Sequence, residues 1–120
     1  MIERSTIVSI HPYFEVKPGK MTEAKPLLDQ MVSCTSSEKE NLYYDFTINK
    51  EVVFCREAYT SAAGLLHHLD NVGPVLTQLL KIAHLLRVEV HGAPEELTKL
   101  KEALAPLNPQ WFEFYAGVNR

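Results

Sequence analysis

Two ionisable side chains near the middle of the chain have the types and the surroundings of an acid–base pair. Glu57 alternates with Val53, Cys55 and Tyr59, and His68 follows beside the apolar positions of a helical pattern. A carboxyl group among apolar neighbours has a raised pKa, and imidazole titrates near neutrality. Either group can therefore accept a proton from a phenolic substrate. Glu57 and His68 are the candidate catalytic residues. The structural alternatives stay open: a buried carboxylate bonded to a tyrosine or the backbone, and a helix-flank histidine bonded to a carbonyl.

Four aromatic residues are candidate substrate-binding residues: Tyr44, Tyr59, Trp111 and Tyr115. Strand alternation places Tyr44 and Tyr59 on the side of Glu57, where their hydroxyl groups would orient a phenol or a quinone. The alternative is that both are core residues. Trp111 and Tyr115 share a face of the last predicted strand, where they line the pocket or merely seal it.

Other site chemistries have little support. Arg87, Glu89 and His91 alternate on one strand, but the arginine cation would repel a metal ion, so an interfacial salt-bridge set is favoured. Cys34 and Cys55 form no C-x-x-C pair and no zinc-ligand spacing. The glycines build neither a dinucleotide fingerprint nor a P-loop. The sequence therefore predicts no metal and no cofactor.

The composition is that of an ordinary globular protein. The 120 residues suit one domain over 1–120, with 46% hydrophobic residues and a net charge of −3. The sequence has no long basic run of the kind that indicates nucleic-acid binding, and no apolar stretch is long enough to span a membrane. Residues 1–5 lack signal-peptide architecture, so we expect a cytoplasmic protein with free thiols.

The apolar periodicity predicts an α+β fold. Thr6 to Val16 alternates as a strand, with Pro12 marking an edge position or a bulge, and Pro26 is expected near the first turn of the next helix. In chain order, the predicted elements are a strand over 6–16, a helix over 22–35, strands over 42–48 and 52–59, a helix from 62 that Asn71-Val72-Gly73-Pro74 breaks, a further helical piece, a strand over 85–90, a helix from 94 to 107 and a strand over 111–118. Thr60 or Ser61 caps the second helix. The order β-α-β-β-α-β is the ferredoxin-like arrangement, followed here by an extra C-terminal α-β unit.

Helices can cover only one face of such a sheet. The other face is predicted to carry His11, Tyr13, Tyr43, Asp45, Phe54, Arg56, Arg87, Glu89 and His91. In the strand over 85–90, Leu86, Val88 and Val90 are expected to point together toward the core. The uncovered face is too aromatic for a simple wet surface and too charged for a dry core. It suits a homodimer about a two-fold axis, and the alternative is a solvated antiparallel face.

One stretch resembles a known family. The segment Phe54-Cys55-Arg56-Glu57-Ala58-Tyr59, followed by 62–69 with its His-His-Leu ending, is similar to the antibiotic biosynthesis monooxygenase family, as is the preceding strand 41–46. The resemblance covers roughly the first 90 residues. It implies a dimeric α+β barrel, and members include cofactor-independent oxygenases of phenolic or quinol-type aromatic substrates. Related barrels degrade haem, isomerise lactones or have no known catalysis.

The leading hypothesis is therefore a cofactor-independent monooxygenase of a phenolic or quinol-type substrate. Glu57 or His68 would remove a phenolic proton, and the resulting anion would reduce dioxygen without a metal or a flavin. The alternatives are a non-catalytic binding module for a hydrophobic metabolite or haem, and an isomerase of the lactone type. The first strand has no asparagine and Tyr59 stands where active members of the family often have tryptophan, which favours the binding module.

Overall fold

The computed structural model describes residues 4–119, so residues 1–3 and Arg120 lie outside the described residues, and with them most of the segment at which no signal peptide is predicted. The elements are β1 (Val8–Val16), α1 (Met21–Thr35), β2 (Asn41–Asn49), β3 (Val52–Tyr59), α2 (Ala62–Leu79), β4 (Ala83–Gly92), α3 (Pro94–Leu104), a 3-10 turn (Ala105–Leu107) and β5 (Gln110–Glu113). The predicted α+β fold with its C-terminal α-β extension is confirmed.

The five strands form one mixed sheet in the order β2-β3-β1-β4-β5. All neighbours are antiparallel except β4 and β5, which are parallel and joined through α3. The first four strands have the ferredoxin-like order, with β1 in the centre. Alternate residues of β1, from Val8 to Val16, are buried against the helices, because a strand points successive side chains to opposite faces.

The core has two adjoining parts on the helical side of the sheet. One part joins the sheet to α2 and α3 through side chains such as Ile10, Leu65 and Leu100. The other joins it to α1 and α2 through side chains such as Phe14, Leu28 and Val72. Because α2 belongs to both parts, it fixes the position of any side chain that it directs toward the sheet.

The predicted break in α2 is wrong. The helix continues from Ala62 to Leu79 through Gly73 and Pro74, although proline has no N–H to donate to the preceding turn. Val72 and Leu79, on either side of Gly73 and Pro74, are both buried. Packing on both sides therefore outweighs the cost of one missing hydrogen bond. The start of the helix is as expected, since the Ser61 hydroxyl accepts a hydrogen bond from the Gly64 N–H at 3.3 Å.

Proline also explains an irregularity in β1. Pro12 lies in the central strand, so its predicted edge position is wrong. The paired residues of β1 and β3 run to Ile10 and resume at Tyr13, because Pro12 has no N–H to offer. The predicted bulge is found nearby, as a register shift between Tyr13 and Phe14 opposite β4. Pro26 is the sixth residue of α1, deeper than its predicted place near the first turn.

The shift in register changes the orientation of Leu86. Tyr13 pairs with Arg87 and Phe14 with Leu85, so Leu86 has no partner in β1. Leu86 is 53% exposed, whereas Val88 and Val90 are buried. The prediction that all three share the core face is therefore wrong for Leu86, since a bulge reverses the alternation locally.

The last strand is shorter than predicted. β5 ends at Glu113, and residues 114–119 have no regular structure. The Phe114 N–H still bonds to the Gly92 carbonyl at 2.8 Å, but the chain then leaves the sheet. Tyr115 is consequently 97% exposed.

We expect Gly73→Ala to stabilise the protein. A Cβ atom at Gly73 would meet nothing within 4 Å, and glycine in a helix interior costs roughly 0.5–1 kcal/mol relative to alanine. Urea unfolding should show a gain of that order. Gly92→Ala is the control, because its Cβ would lie 3.1 Å from the Ile7 carbonyl oxygen. Equal effects of the two substitutions would contradict the prediction.

Candidate acid–base site

A buried carboxyl group and a buried imidazole meet beneath the sheet. Glu57 of β3 is 5% exposed and His68 of α2 is 2% exposed. The distance from His68 Nε2 to Glu57 Oε1 is 3.4 Å. β3 directs Glu57 inward with Cys55 and Tyr59, and α2 directs His68 inward one turn beyond Leu65. The structure thus brings together the two residues that the sequence selects as catalytic, while the neighbouring His67 is exposed.

Glu57 is surrounded by hydrogen-bond donors. The Tyr59 hydroxyl donates to Glu57 Oε1 at 2.6 Å. The Cys55 thiol donates to the same carboxyl group, and the Tyr44 hydroxyl donates to Cys55. Burial raises the pKa of Glu57 to about 7, although the bonds from Tyr59 and Cys55 oppose the rise. A carboxyl group with this pKa can act as an acid or as a base near neutral pH.

His68 has a fixed orientation. Its Nδ1 atom lies 2.9 Å from Glu38 Oε2 and 3.5 Å from Thr35 Oγ1. The Thr35 hydroxyl already donates to the Met31 carbonyl at 2.8 Å, so both partners of Nδ1 are acceptors. Nδ1 therefore carries the hydrogen, and the lone pair of Nε2 faces Glu57. Burial lowers the pKa of His68 and so favours a neutral ring. The Glu38 carboxylate has the opposite, smaller effect.

The tyrosine and cysteine hydrogens stay in place near neutral pH. Burial raises the pKa of Tyr44, of Cys55 and of Tyr59, and the nearby Glu57 raises each one further. These groups can therefore donate hydrogen bonds but do not ionise. Proton exchange at the site falls to Glu57 and His68.

An apolar cavity of about 40 Å³ opens beside this pair. Glu57, His68, Tyr44 and Cys55 supply its polar atoms. The remaining lining residues are apolar: Ile10, Pro12, Phe14, Met31, Phe46, Leu69, Val72, Leu76, Leu80, Leu85, Val88 and Leu107. Five leucines, which we call the leucine rim, form its outer edge, four of them partly buried and Leu80 exposed: Leu69, Leu76, Leu80, Leu85 and Leu107.

The four predicted aromatic residues lie in different places. Tyr44 lines the cavity, with its ring centroid 5.0 Å from that of His68, and Tyr59 stands behind Glu57 without lining the cavity. Trp111 packs against the part of the core beneath α3, with Lys101 Nζ 5.4 Å from its ring centroid. Tyr115 is exposed. Neither Trp111 nor Tyr115 lines the cavity.

Sequence reasoning missed Glu38, the partner of His68. Glu38 belongs to the polar loop between α1 and β2, and nothing in its spacing points to a histidine in another element. Its carboxylate also accepts a hydrogen bond from Asn71 Nδ2 at 2.8 Å. The only available signal is that a buried histidine needs a partner for each ring nitrogen.

On the opposite face of the sheet, Arg87 forms an ion pair with Glu89, and His91 lies within hydrogen-bond distance of the same carboxylate. Arg87 Nε lies 2.5 Å from Glu89 Oε2, and His91 Nε2 lies 3.1 Å from Glu89 Oε1. Within residues 4–119 no group of three or more metal-binding side chains is found. Over the same residues, no helix combines the length and the apolar character that crossing a bilayer requires.

Similarity to solved structures shows which proteins share this fold. Two of them, a candidate antibiotic biosynthesis monooxygenase from Caulobacter crescentus and another antibiotic biosynthesis monooxygenase, share the fold at TM-scores of 0.64 and 0.61. The first is 19% identical and covers 72% of this chain and 88% of its own. The second is 17% identical and covers 69% and 92%. The chain has the fold of the antibiotic biosynthesis monooxygenases, as the sequence resemblance suggests.

A nearer relative is MupZ from Pseudomonas fluorescens. It is 36% identical, the match covers 98% of this chain and 96% of MupZ, and the TM-score is 0.91. The chain therefore belongs to the family of MupZ, among the antibiotic biosynthesis monooxygenase-like proteins. With this coverage, the similarity includes the C-terminal α-β unit. No protein-family profile matches the chain, and no curated protein sequence does.

Proposed function

We propose that this protein is an acid–base enzyme in which Glu57 and His68 move protons on a small, mainly apolar substrate. The observation that carries the proposal is the 3.4 Å approach of Glu57 Oε1 and His68 Nε2 at the wall of an apolar cavity. Burial gives the carboxyl group a pKa of about 7 and keeps the imidazole neutral. Such a pair holds one exchangeable proton and one vacant lone pair near neutral pH.

The first candidate reaction is cofactor-independent oxygenation of a phenol or a quinol, which the resemblance to the antibiotic biosynthesis monooxygenases suggests. Glu57 or His68 takes the phenolic proton, and the electron-rich anion is itself the reductant of dioxygen. One oxygen atom ends on the substrate and the other leaves as water. The apolar cavity supports this chemistry because it keeps bulk water from the reactive anion. Tyr44, which lines the cavity, would contact the aromatic ring.

Isomerisation of a lactone-type substrate is the second candidate. It is favoured by one observation: the polar groups of the cavity are proton donors and acceptors, and isomerisation requires only proton transfer. A carboxyl group and an imidazole on one wall can remove a proton at one carbon and return it at another.

Two assays on the same protein test the proposal. The first measures dioxygen uptake with a panel of hydroquinones and fused-ring phenols. The second measures, without oxygen, exchange of carbon-bound hydrogen for deuterium in unsaturated lactones. Uptake supports the oxygenase, and exchange alone supports the isomerase. No reaction with either panel, or identical rates for the wild type and for Glu57→Gln and His68→Gln, would refute acid–base catalysis.

The uncovered face of the sheet is where a second copy of the chain would bind. Phe54, His11, His91 and Phe112 form a continuous row of rings there, with successive centroids 6.1, 4.9 and 4.5 Å apart. Burial and the adjacent His91 lower the pKa of His11, which favours a neutral ring at that point of the row. An aromatic centre with charged groups around it is typical of a stable interface.

We expect Phe54→Glu to convert a dimer into a monomer. The substitution would bury a carboxylate at the centre of the interface, where it has no partner. Light scattering after size exclusion should give the mass of two chains for the wild type and of one chain for the variant. Val32→Glu is the matched control, since Val32 is 44% exposed on α1, away from this face. A monomeric wild type would contradict the prediction.

A further inference from the structure

The loop carboxylate of Glu38 occupies an unusual place between the buried pair and the surface. Its side chain is 12% exposed, against 2% for His68. On the inner side Glu38 Oε2 bonds His68 Nδ1 at 2.9 Å. On the outer side it lines an open surface groove with Ser37, Lys39 and Asn71. Glu57, His68 and Glu38 therefore form a continuous chain of proton-exchanging groups that begins in the cavity and ends at solvent.

We propose that Glu38 is a positioning residue that sets the tautomer of His68 and ends a proton path from Glu57 to solvent. The inference rests on the acid–base function proposed above. Asn71 holds the carboxylate in place, because its Nδ2 atom donates to Glu38 Oε2 at 2.8 Å and to the Cys34 carbonyl at 3.0 Å. The loop group is thus tied to both α1 and α2, and its position relative to His68 is fixed.

The proton balance is simple. Glu57 gives a proton to the lone pair of His68 Nε2, and His68 then gives its Nδ1 proton to Glu38, which releases it to water. His68 is left neutral with the hydrogen on Nε2, and Glu57 is left ionised. Transfer in the reverse direction returns a proton to the cavity and restores the first tautomer. An enzyme that both removes and returns protons would use each direction once in a cycle.

The alternative route outward, past the apolar lining of the cavity, offers no side chain that carries a proton. The leucine rim offers no polar atom of its side chains to carry a proton. The remaining polar neighbours of Glu57 are Tyr59, Cys55 and, beyond it, Tyr44, and burial raises the pKa of all three. Among the described residues that face Glu57 and His68, Glu38 is the carboxylate that reaches the surface. The histidine path therefore connects the site with solvent.

The tautomer of His68 can be read without any substrate. Long-range ¹H–¹⁵N NMR of histidine-labelled protein distinguishes the two ring nitrogens, and His68→Gln assigns the signal. We expect the wild type to show hydrogen on Nδ1. Glu38→Gln should keep this tautomer, because its amide oxygen still accepts, whereas Glu38→Ala should lose it. The control is Glu51→Ala in the exposed β2–β3 turn, which should leave the signal unchanged. An unchanged tautomer in Glu38→Ala would overturn the positioning role.

The proton path has its own measurement on the same samples. Exchange of the Nδ1 hydrogen with water should be roughly 10²-fold slower in Glu38→Gln than in the wild type, because an amide accepts a hydrogen bond but not the proton. Equal exchange rates would refute the path. Both measurements are independent of turnover, so they can succeed even if no substrate reacts. Conversely, loss of activity in Glu57→Gln with an unchanged His68 tautomer in Glu38→Ala would leave the acid–base function standing without Glu38.

Discussion

Replacing Glu57 with glutamine lowers turnover by roughly 10²–10⁴-fold, the range in which a positioned acid or base contributes to an enzymatic rate. Glutamine has nearly the shape of the carboxylic acid, and its amide oxygen can still accept from the Tyr59 hydroxyl, which lies 2.6 Å from Glu57 Oε1. The cavity should therefore persist while proton exchange stops. Single-turnover kinetics with a substrate found in the assays above would give the ratio of rates.

The same substitution changes how stability depends on pH. The pKa of Glu57 is about 7 in the folded protein and 4.5 ordinarily, so the folded state holds this proton more tightly. The resulting stabilisation is complete below pH 4.5 and is lost as the pH rises through 7. Since glutamine does not titrate, the variant should gain stability relative to the wild type over this window, by at most about 3 kcal/mol.

Urea unfolding of both proteins at pH 5 and pH 8 measures this difference. Glu51→Gln, in the exposed turn between β2 and β3, is the control and should show no pH-dependent difference. A wild-type protein whose stability relative to Glu57→Gln is the same at both pH values would mean that the carboxyl group titrates normally. The explanation of its role as a neutral-pH acid and base would then fail.

Truncating Leu65 to alanine destabilises the protein by about 2–5 kcal/mol, the usual cost of removing a fully buried leucine side chain. Leu65 has no exposed surface and packs in the part of the core that joins α2 to the sheet and α3. It precedes His68 by nearly one helical turn, so the imidazole should also lose its fixed position. Thermal and urea unfolding would measure the first effect, and the His68 NMR signal the second.

Leu86→Ala is the matched control for Leu65→Ala. The bulge opposite β1 leaves Leu86 53% exposed, so its truncation should change the free energy of unfolding by less than about 0.5 kcal/mol. Similar losses for the two leucines would mean that the register of β4 differs from the one described.

The elements of the fold were predictable from the sequence because their signals are local. Alternation along β1 and β3 and the 3.6-residue spacing of α1 require no knowledge of the rest of the chain. The break expected at Gly73-Pro74 shows the limit of local signals. Those two residues favour a helix end, but Val72 and Leu79 gain more by staying buried on one continuous helix.

The candidate site was predictable in part for the same reason. Glu57 stands among apolar residues of one strand, and His68 stands beside the apolar stripe of one helix, so each is conspicuous within its own element. Glu38 lies in a loop that has no periodicity, and its contact with His68 spans 30 residues. Alternation along a strand over 111–118 predicts that Trp111 and Tyr115 share a face, but β5 stops at Glu113.

The volume beside Glu57 has a consequence for binding kinetics. A space of about 40 Å³ holds a water molecule or two, whereas pockets for small organic ligands measure about 300–1,000 Å³. An aromatic compound can therefore enter only after the side chains of the leucine rim have moved apart. Measured affinity would then fall short of the intrinsic affinity by the fraction of molecules that are open at any instant, and mutations that enlarge that fraction would tighten binding without touching the ligand.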